Sequence, residues 1–169
     1  MNQLCIFFFA MLALLISVAA DDYNCPKSGN PVHAGCHVNV KFPGSACTSV
    51  QTEIKKRIDG QAAGSWQDPH NAGNYTLISE SGNLWEMSRV TGDGKYTDKI
   101  NFVYNDDSDA CNVFACSQSQ VFSIGDMGTN FCNIHDLYCK DAGCGAFTAL
   151  DYTESVGKCT ENSPAKCTP

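Results

Sequence analysis

Between Cys47 and Gly60 apolar side chains recur at helical spacing, with Cys47, Val50, Ile54 and Ile58 on one stripe. Pro43-Gly44-Ser45 offers a start with Ser45 at the N-cap position, Glu53 stands one turn before Arg57, and Gly60 offers a stop. The spacing predicts a helix over 46–59, whose narrow stripe suits packing on a single surface such as a sheet. A loop rich in Gly, Asn and Pro follows over 60–74, and there the period changes from helical to alternating. Runs over 75–80 and 84–90 flank Ser81-Gly82-Asn83, the signature of a hairpin. Thr91-Gly92-Asp93-Gly94-Lys95 makes a second turn before 98–104, where Ile100, Phe102 and Tyr104 alternate with other side chains. An acidic loop over 105–109 leads into two further strand-like runs, 111–116 and 119–123.

In the last third, Phe131, Cys132, Ile134, His135, Tyr138 and Cys139 predict a short helix over 130–139, the alternation over 146–152 a last strand, and the tail from Gly157 is polar. The expected fold is α+β: one N-terminal helix packed on an antiparallel meander of about four strands, with a disulfide-rich C-terminal extension. The sheet face opposite the helix, around Trp85, Met87, Phe102 and Tyr104, is a candidate contact surface, although structural core is the more usual fate of such side chains.

Residues 4–18 are almost unbroken apolar sequence ending at Val18-Ala19-Ala20, with acidic Asp21-Asp22 after it. This reads as a cleavable secretory signal over 1–20, preceding a single extracellular domain over 21–169. No second apolar run follows, so no stable membrane anchor is expected. Of the 11 cysteines, Cys5 lies in the signal. Cys25, Cys36, Cys47, Cys111, Cys116, Cys132, Cys139, Cys144, Cys159 and Cys167 remain, an even set that implies disulfides in an oxidising compartment, with pairing unreadable from spacing. Bridged sulfur is neither nucleophile nor metal ligand. The zinc-like spacings Cys111-x4-Cys116 and Cys139-x4-Cys144, and the pair His33 and His37, are therefore read as bridges and surface histidines, with no metal expected. His70 sits in the turn-forming Asp68-Pro-His-Asn71, and the acidic loop lacks the spacing of an EF-hand. A net charge of −7 repels phosphate backbones and argues against nucleic acid. Asn74-Tyr75-Thr76 is a glycosylation sequon, making Asn74 a candidate glycan site.

The chain contains no Gly-x-Ser-x-Gly elbow, His-Glu-x-x-His, phosphate-cradling loop or dinucleotide fingerprint. Cys132-Asn-Ile-His135-Asp136-Leu-Tyr138-Cys139 resembles the active-site helix of secreted phospholipases A2 over about eight residues. That resemblance implies His135 as the base that activates water and Asp136 as a Ca²⁺ ligand; the glycine-rich calcium loop of that family has only Ser123-Ile-Gly125-Asp-Met-Gly128 in its place. A helix followed by a meander is similar to the cystatin architecture, although Gln120-Val121-Phe-Ser-Ile-Gly125 does not match the spacing of its inhibitory Gln-x-Val-x-Gly loop. Gly64-Ser-Trp66 resembles the Gly-x-Trp near the start of lipocalins. The leading expectation is a secreted, non-enzymatic interaction or ligand-binding protein without a cofactor, whose partner is an extracellular protein or a small ligand. The alternatives are a Ca²⁺-dependent lipid hydrolase and a cystatin-like protease inhibitor.

Overall fold

Inward Cys36, Val38, Val40 and Phe42 alternate with outward His37, Asn39 and Lys41 along the strand that opens the fold, β1 (Gly35–Pro43). The computed structural model describes residues 25–163, 166 and 167, so the expected signal over 1–20 lies outside the described residues. After β1 come α1 (Cys47–Ala63), β2 (Asn74–Ser81), β3 (Leu84–Val90), β4 (Thr97–Asp106), β5 (Ala110–Ser119), α2 (Thr129–His135) and β6 (Thr153–Cys159). The strands form one antiparallel sheet in the order β2-β3-β4-β5-β1-β6.

Register explains the core. Trp85 faces Phe102, Phe102 faces Ala115 and Ala115 faces Val38, so one apolar row crosses four strands. Tyr104, Val113 and Val40 form the next row. Both helices lie on this face, α1 against β2, β4 and β5, and α2 against β5, β1 and β4. The result is two layers around one core that includes Val50, Ile54, Phe131 and Ile134. Trp85, Met87, Phe102 and Tyr104 are buried in that core, the fate expected of such side chains, and form no open contact face.

The expected α+β class holds, but the sheet has six strands where about four were expected, β1 lies in no expected element, and the limits of several others move. The helix runs four residues past Asp59 to Ala63, where Gly64, at φ 69°, ends it and donates its N–H to the Gln61 carbonyl. Its N-cap is Ala46 and not Ser45; Asp106 of β4 accepts the Cys47 N–H at 2.9 Å and supplies both the missing cap and a negative charge at the positive end of the helix. β5 is one continuous strand ending at Ser119, leaving 120–123 as loop, and α2 stops at His135. The last strand is 153–159, one segment later than expected, so the C-terminal third is part of the sheet and core and no mere extension.

Five disulfides are present: Cys25–Cys116, Cys36–Cys159, Cys47–Cys111, Cys132–Cys167 and Cys139–Cys144. Cys111 and Cys116 are five residues apart on one strand and so point to opposite faces. One holds the start of α1 and the other the N-terminal segment, which rules out a shared zinc ion. Cys36 and Cys159 are direct partners across β1 and β6, stapling an otherwise polar edge strand to the sheet. Four bridges join residues 35 or more positions apart, where loop closure most restricts the unfolded chain. This is the construction of an extracellular or secreted protein, and among the described residues no helix is long and apolar enough to cross a membrane.

Candidate ligand-binding groove

Towards one end the inward face of the sheet stops being apolar. Tyr75, Arg89, Asp98 and Ser119 are successive partners across β2 to β5, and all four are buried. Buried polar groups persist only where hydrogen bonds replace lost water, and here two networks do so. In the first, the Arg89 guanidinium donates to Asp68 Oδ2 at 2.6 Å, while the Tyr75 hydroxyl donates to Asp68 Oδ1 at 3.3 Å. In the second, Ser119 Oγ donates to Asp98 Oδ1 at 2.7 Å and Asn133 Nδ2 to Asp98 Oδ2 at 2.8 Å, with Asn130 and Ser117 closing the circuit. The second network fixes α2 over the end of the sheet and forms a rigid polar floor.

Above that floor lies a groove of about 940 Å³, bordered by the loop after α1, the β3–β4 turn and the loop joining β5 to α2. Its rim is apolar: Tyr96 faces it from one side, and Phe122, Ile124 and Met127, 60, 76 and 77 % exposed, from the other. Three large hydrophobic side chains within six residues are thus held in water. The loop that carries them is fixed by its backbone. The Gln120 N–H bonds the Thr97 carbonyl, the Ser123 N–H the Val32 carbonyl, and Ser123 Oγ accepts the Ala34 N–H. Asp126 then accepts the N–H groups of Gly128 and Asn130 ahead of α2.

Backbone strain gathers at the same place. Of the two non-glycine residues with positive φ among those described, both at 55°, Met127 lines the groove and Ala72 follows Asn71, which does. Such conformations persist where the surroundings over-determine them, and they concentrate at binding sites. In the β3–β4 turn, a Cβ on Gly92 would come within 2.3 Å of the Asn71 carbonyl oxygen, so glycine is required for the two border loops to meet.

The residues singled out for hydrolysis lie elsewhere. His135, at the end of α2, is buried, stacked on Phe131 at 5.3 Å, and places Nδ1 3.2 Å from Glu154 of β6. Tyr138 donates to the same Glu154 oxygen at 2.6 Å. Burial pushes the Glu154 carboxyl up, but the hydrogen bonds from His135 and Tyr138 outweigh it and hold the group below the usual carboxylate value. The arrangement orients an imidazole, yet among the described residues no hydroxyl is hydrogen-bonded to His135 and every cysteine described is bridged. Asp136 is turned into the interior beside Asp68, and its carboxyl is pushed to about 9, by burial first and by the Asp68 charge second. Among the described residues no three of His, Cys, Asp and Glu converge as metal ligands.

The other expected positions are dispersed. Asn74 opens edge strand β2 with its side chain exposed. His33 bonds the Asn30 carbonyl and Gln118, while His37 accepts the Lys158 N–H on the outer face. Only His70 reaches the groove, its ring nitrogens engaged by the Lys166 carbonyl and Thr129 Oγ1. The end of the expected run over 119–123 and the stretch 123–128 set against the calcium loop are in fact loop, and both border the groove. Compared with protein-family models, curated proteins and solved structures, the chain matches none.

Proposed function

We propose that this chain is a secreted, non-enzymatic ligand-binding protein whose site is the groove between the β3–β4 turn and the loop joining β5 to α2. The observation that carries the reading is the pairing of a backbone-pinned apolar rim, Phe122, Ile124 and Met127, with a hydrogen-bonded polar floor around Asp98. Such a pocket, mostly apolar with a few placed polar groups, is the usual architecture of a small-molecule site. Pre-formed loops spare the ligand the entropy of ordering them. The bridged framework supports export, and the leader over 1–20 would be its route.

The test uses N-phenyl-1-naphthylamine, an uncharged dye that brightens in apolar surroundings. The wild-type protein is expected to bind it, and Ile124→Asp/Met127→Asp to lose that binding while keeping the wild-type unfolding midpoint. Equal dye binding by both proteins, or none by the wild type, refutes the assignment. Export is checked separately by N-terminal sequencing of the secreted product, which should begin at Asp21.

A further inference from the structure

The charges facing the groove are unbalanced. Three carboxylates line it, Asp93, Asp98 and Asp126, against one lysine, Lys166. That lysine places its ammonium 3.1 Å from Glu161, so its charge is already committed. The donors held by Asp126 are the N–H groups of Gly128 and Asn130 and the Asn130 amide, all neutral. Asp98 likewise takes neutral donors from Ser119 and Asn133. Arg89, its partner across the strands, is bound to Asp68, and Lys95 is held by Asp93 at 3.0 Å on the exposed side of the turn. Asp98 and Asp126 are thus held in place by neutral dipoles, with no cation paired to either, whereas the charge of Asp93 is shared with Lys95. Two aromatic rings, Tyr96 and Phe122, line it from opposite sides, and the faces of such rings attract cations.

Resting on the groove reading, we infer that the ligand is an amphipathic organic cation, an apolar body bearing an ammonium-type head. The head lies between the carboxylates and the rings; the body lies along Ile124 and Met127. An anionic head would meet Asp98 and Asp126, while Lys166 and Lys95 are each already paired with a carboxylate. The charge of −7 on the chain raises the local concentration of cations over that of anions at the same surface.

Three compounds with one tail separate the contributions: decyltrimethylammonium, decanol and decanoate, titrated calorimetrically below their self-association concentrations. The cation is expected to bind roughly tenfold more tightly than the alcohol, the scale of a cation–aromatic contact added to charge attraction, and the acid most weakly. That preference should shrink with added NaCl and in Asp126→Asn. Tyr96→Leu, which keeps an apolar side chain and removes the ring, should weaken the cation several-fold while leaving decanol unchanged. Because Asp126 also holds the start of α2, Asp93→Asn on the exposed turn serves as the second charge variant and should act in the same direction. Decanol or decanoate binding as tightly as the cation, with all of it lost in Ile124→Asp, overturns the cation inference and leaves the groove standing. No binding of any of the three, or binding unchanged in Ile124→Asp, overturns the groove itself.

Discussion

Asp136 gives the molecule a stability that should fall as pH rises. Its carboxyl is fully buried beside Asp68, whose carboxylate can accept the proton it retains. Burial and the neighbouring Asp68 carboxylate move it from 3.8 to about 9, against the opposing pull of Arg89 and Arg57. The folded state therefore holds a proton that the unfolded chain releases above about pH 4. Where the native state binds the extra proton, unfolding becomes easier with rising pH, by about 1.4 kcal/mol per pH unit for one group. The cost is absent below the unfolded value, grows between the two values and levels off above about 9. Across two units near neutrality it amounts to about 3 kcal/mol, a large share of the 5–15 kcal/mol typical of a folded domain.

Asp136→Asn keeps the shape, removes the titration and offers Asp68 a permanent donor. Urea unfolding of both proteins, disulfides intact, at about pH 5.5, 6.5 and 7.5 isolates the effect as a difference, so that other titrating groups cancel. The variant should gain on the wild type by about 1.4 kcal/mol for each unit of rising pH. Parallel profiles would show that Asp136 is ionised in the native state and would defeat the reasoning.

Glu53 and Arg57 form a fully buried pair at 2.9 Å; Glu53 also accepts the N–H groups of Phe147 and Thr148, and Arg57 donates to the carbonyls of Asp136 and Cys139. Glu53→Ala should cost about 3–5 kcal/mol by stranding the guanidinium and should speed amide exchange at 147 and 148; a loss under about 1 kcal/mol in urea would contradict this. Replacing Cys47 and Cys111 by alanine together opens a loop of 64 residues and should lower stability by about 4 kcal/mol, read from the same unfolding curves, while unchanged stability would refute the estimate. Expression in a glycosylating host should add an endoglycosidase-sensitive mass that Asn74→Gln abolishes, since Asn74 is exposed on an edge strand; an unmodified wild type would dismiss the site.

The elements that could be read from sequence are those in which local pattern and tertiary role agree. The stripe of α1 and the alternation of β3 and β4 are patterns with one buried face, and both appear within a few residues of the expected limits. Val38, Val40 and Phe42 carry an equally clear alternation in β1, yet the strand belongs to no expected element, because its pairing partners, β5 and β6, lie some 75 to 120 residues away. β6 offered almost nothing. Only Glu154, Val156 and Cys159 turn inward, and a sheet edge stapled by Cys36–Cys159 needs little apolar sequence to stay in place. The pair Glu53 and Arg57 was visible as a helical i,i+4 contact; that both side chains are buried was not, because their remaining partners are backbone groups some 80 to 95 residues away.

The groove was hidden for the same reason in stronger form. Its borders come from three loops separated by about 20 to 55 residues of chain, and loops carry no periodicity to announce which way they face. What the sequence did contain was a breach of its own pattern. Arg89, Asp98 and Ser119 occupy inward positions of strands whose other inward residues are apolar, and beyond β5 the hydrophobic residues Phe122, Ile124 and Met127 occupy a segment that belongs to no element. Polar side chains in the core and apolar ones in the solvent are each unfavourable alone. Local rules fail in both directions at this end of the sheet, which is where the proposed site lies. A bound ligand with an apolar body and a charged head would satisfy both departures at once.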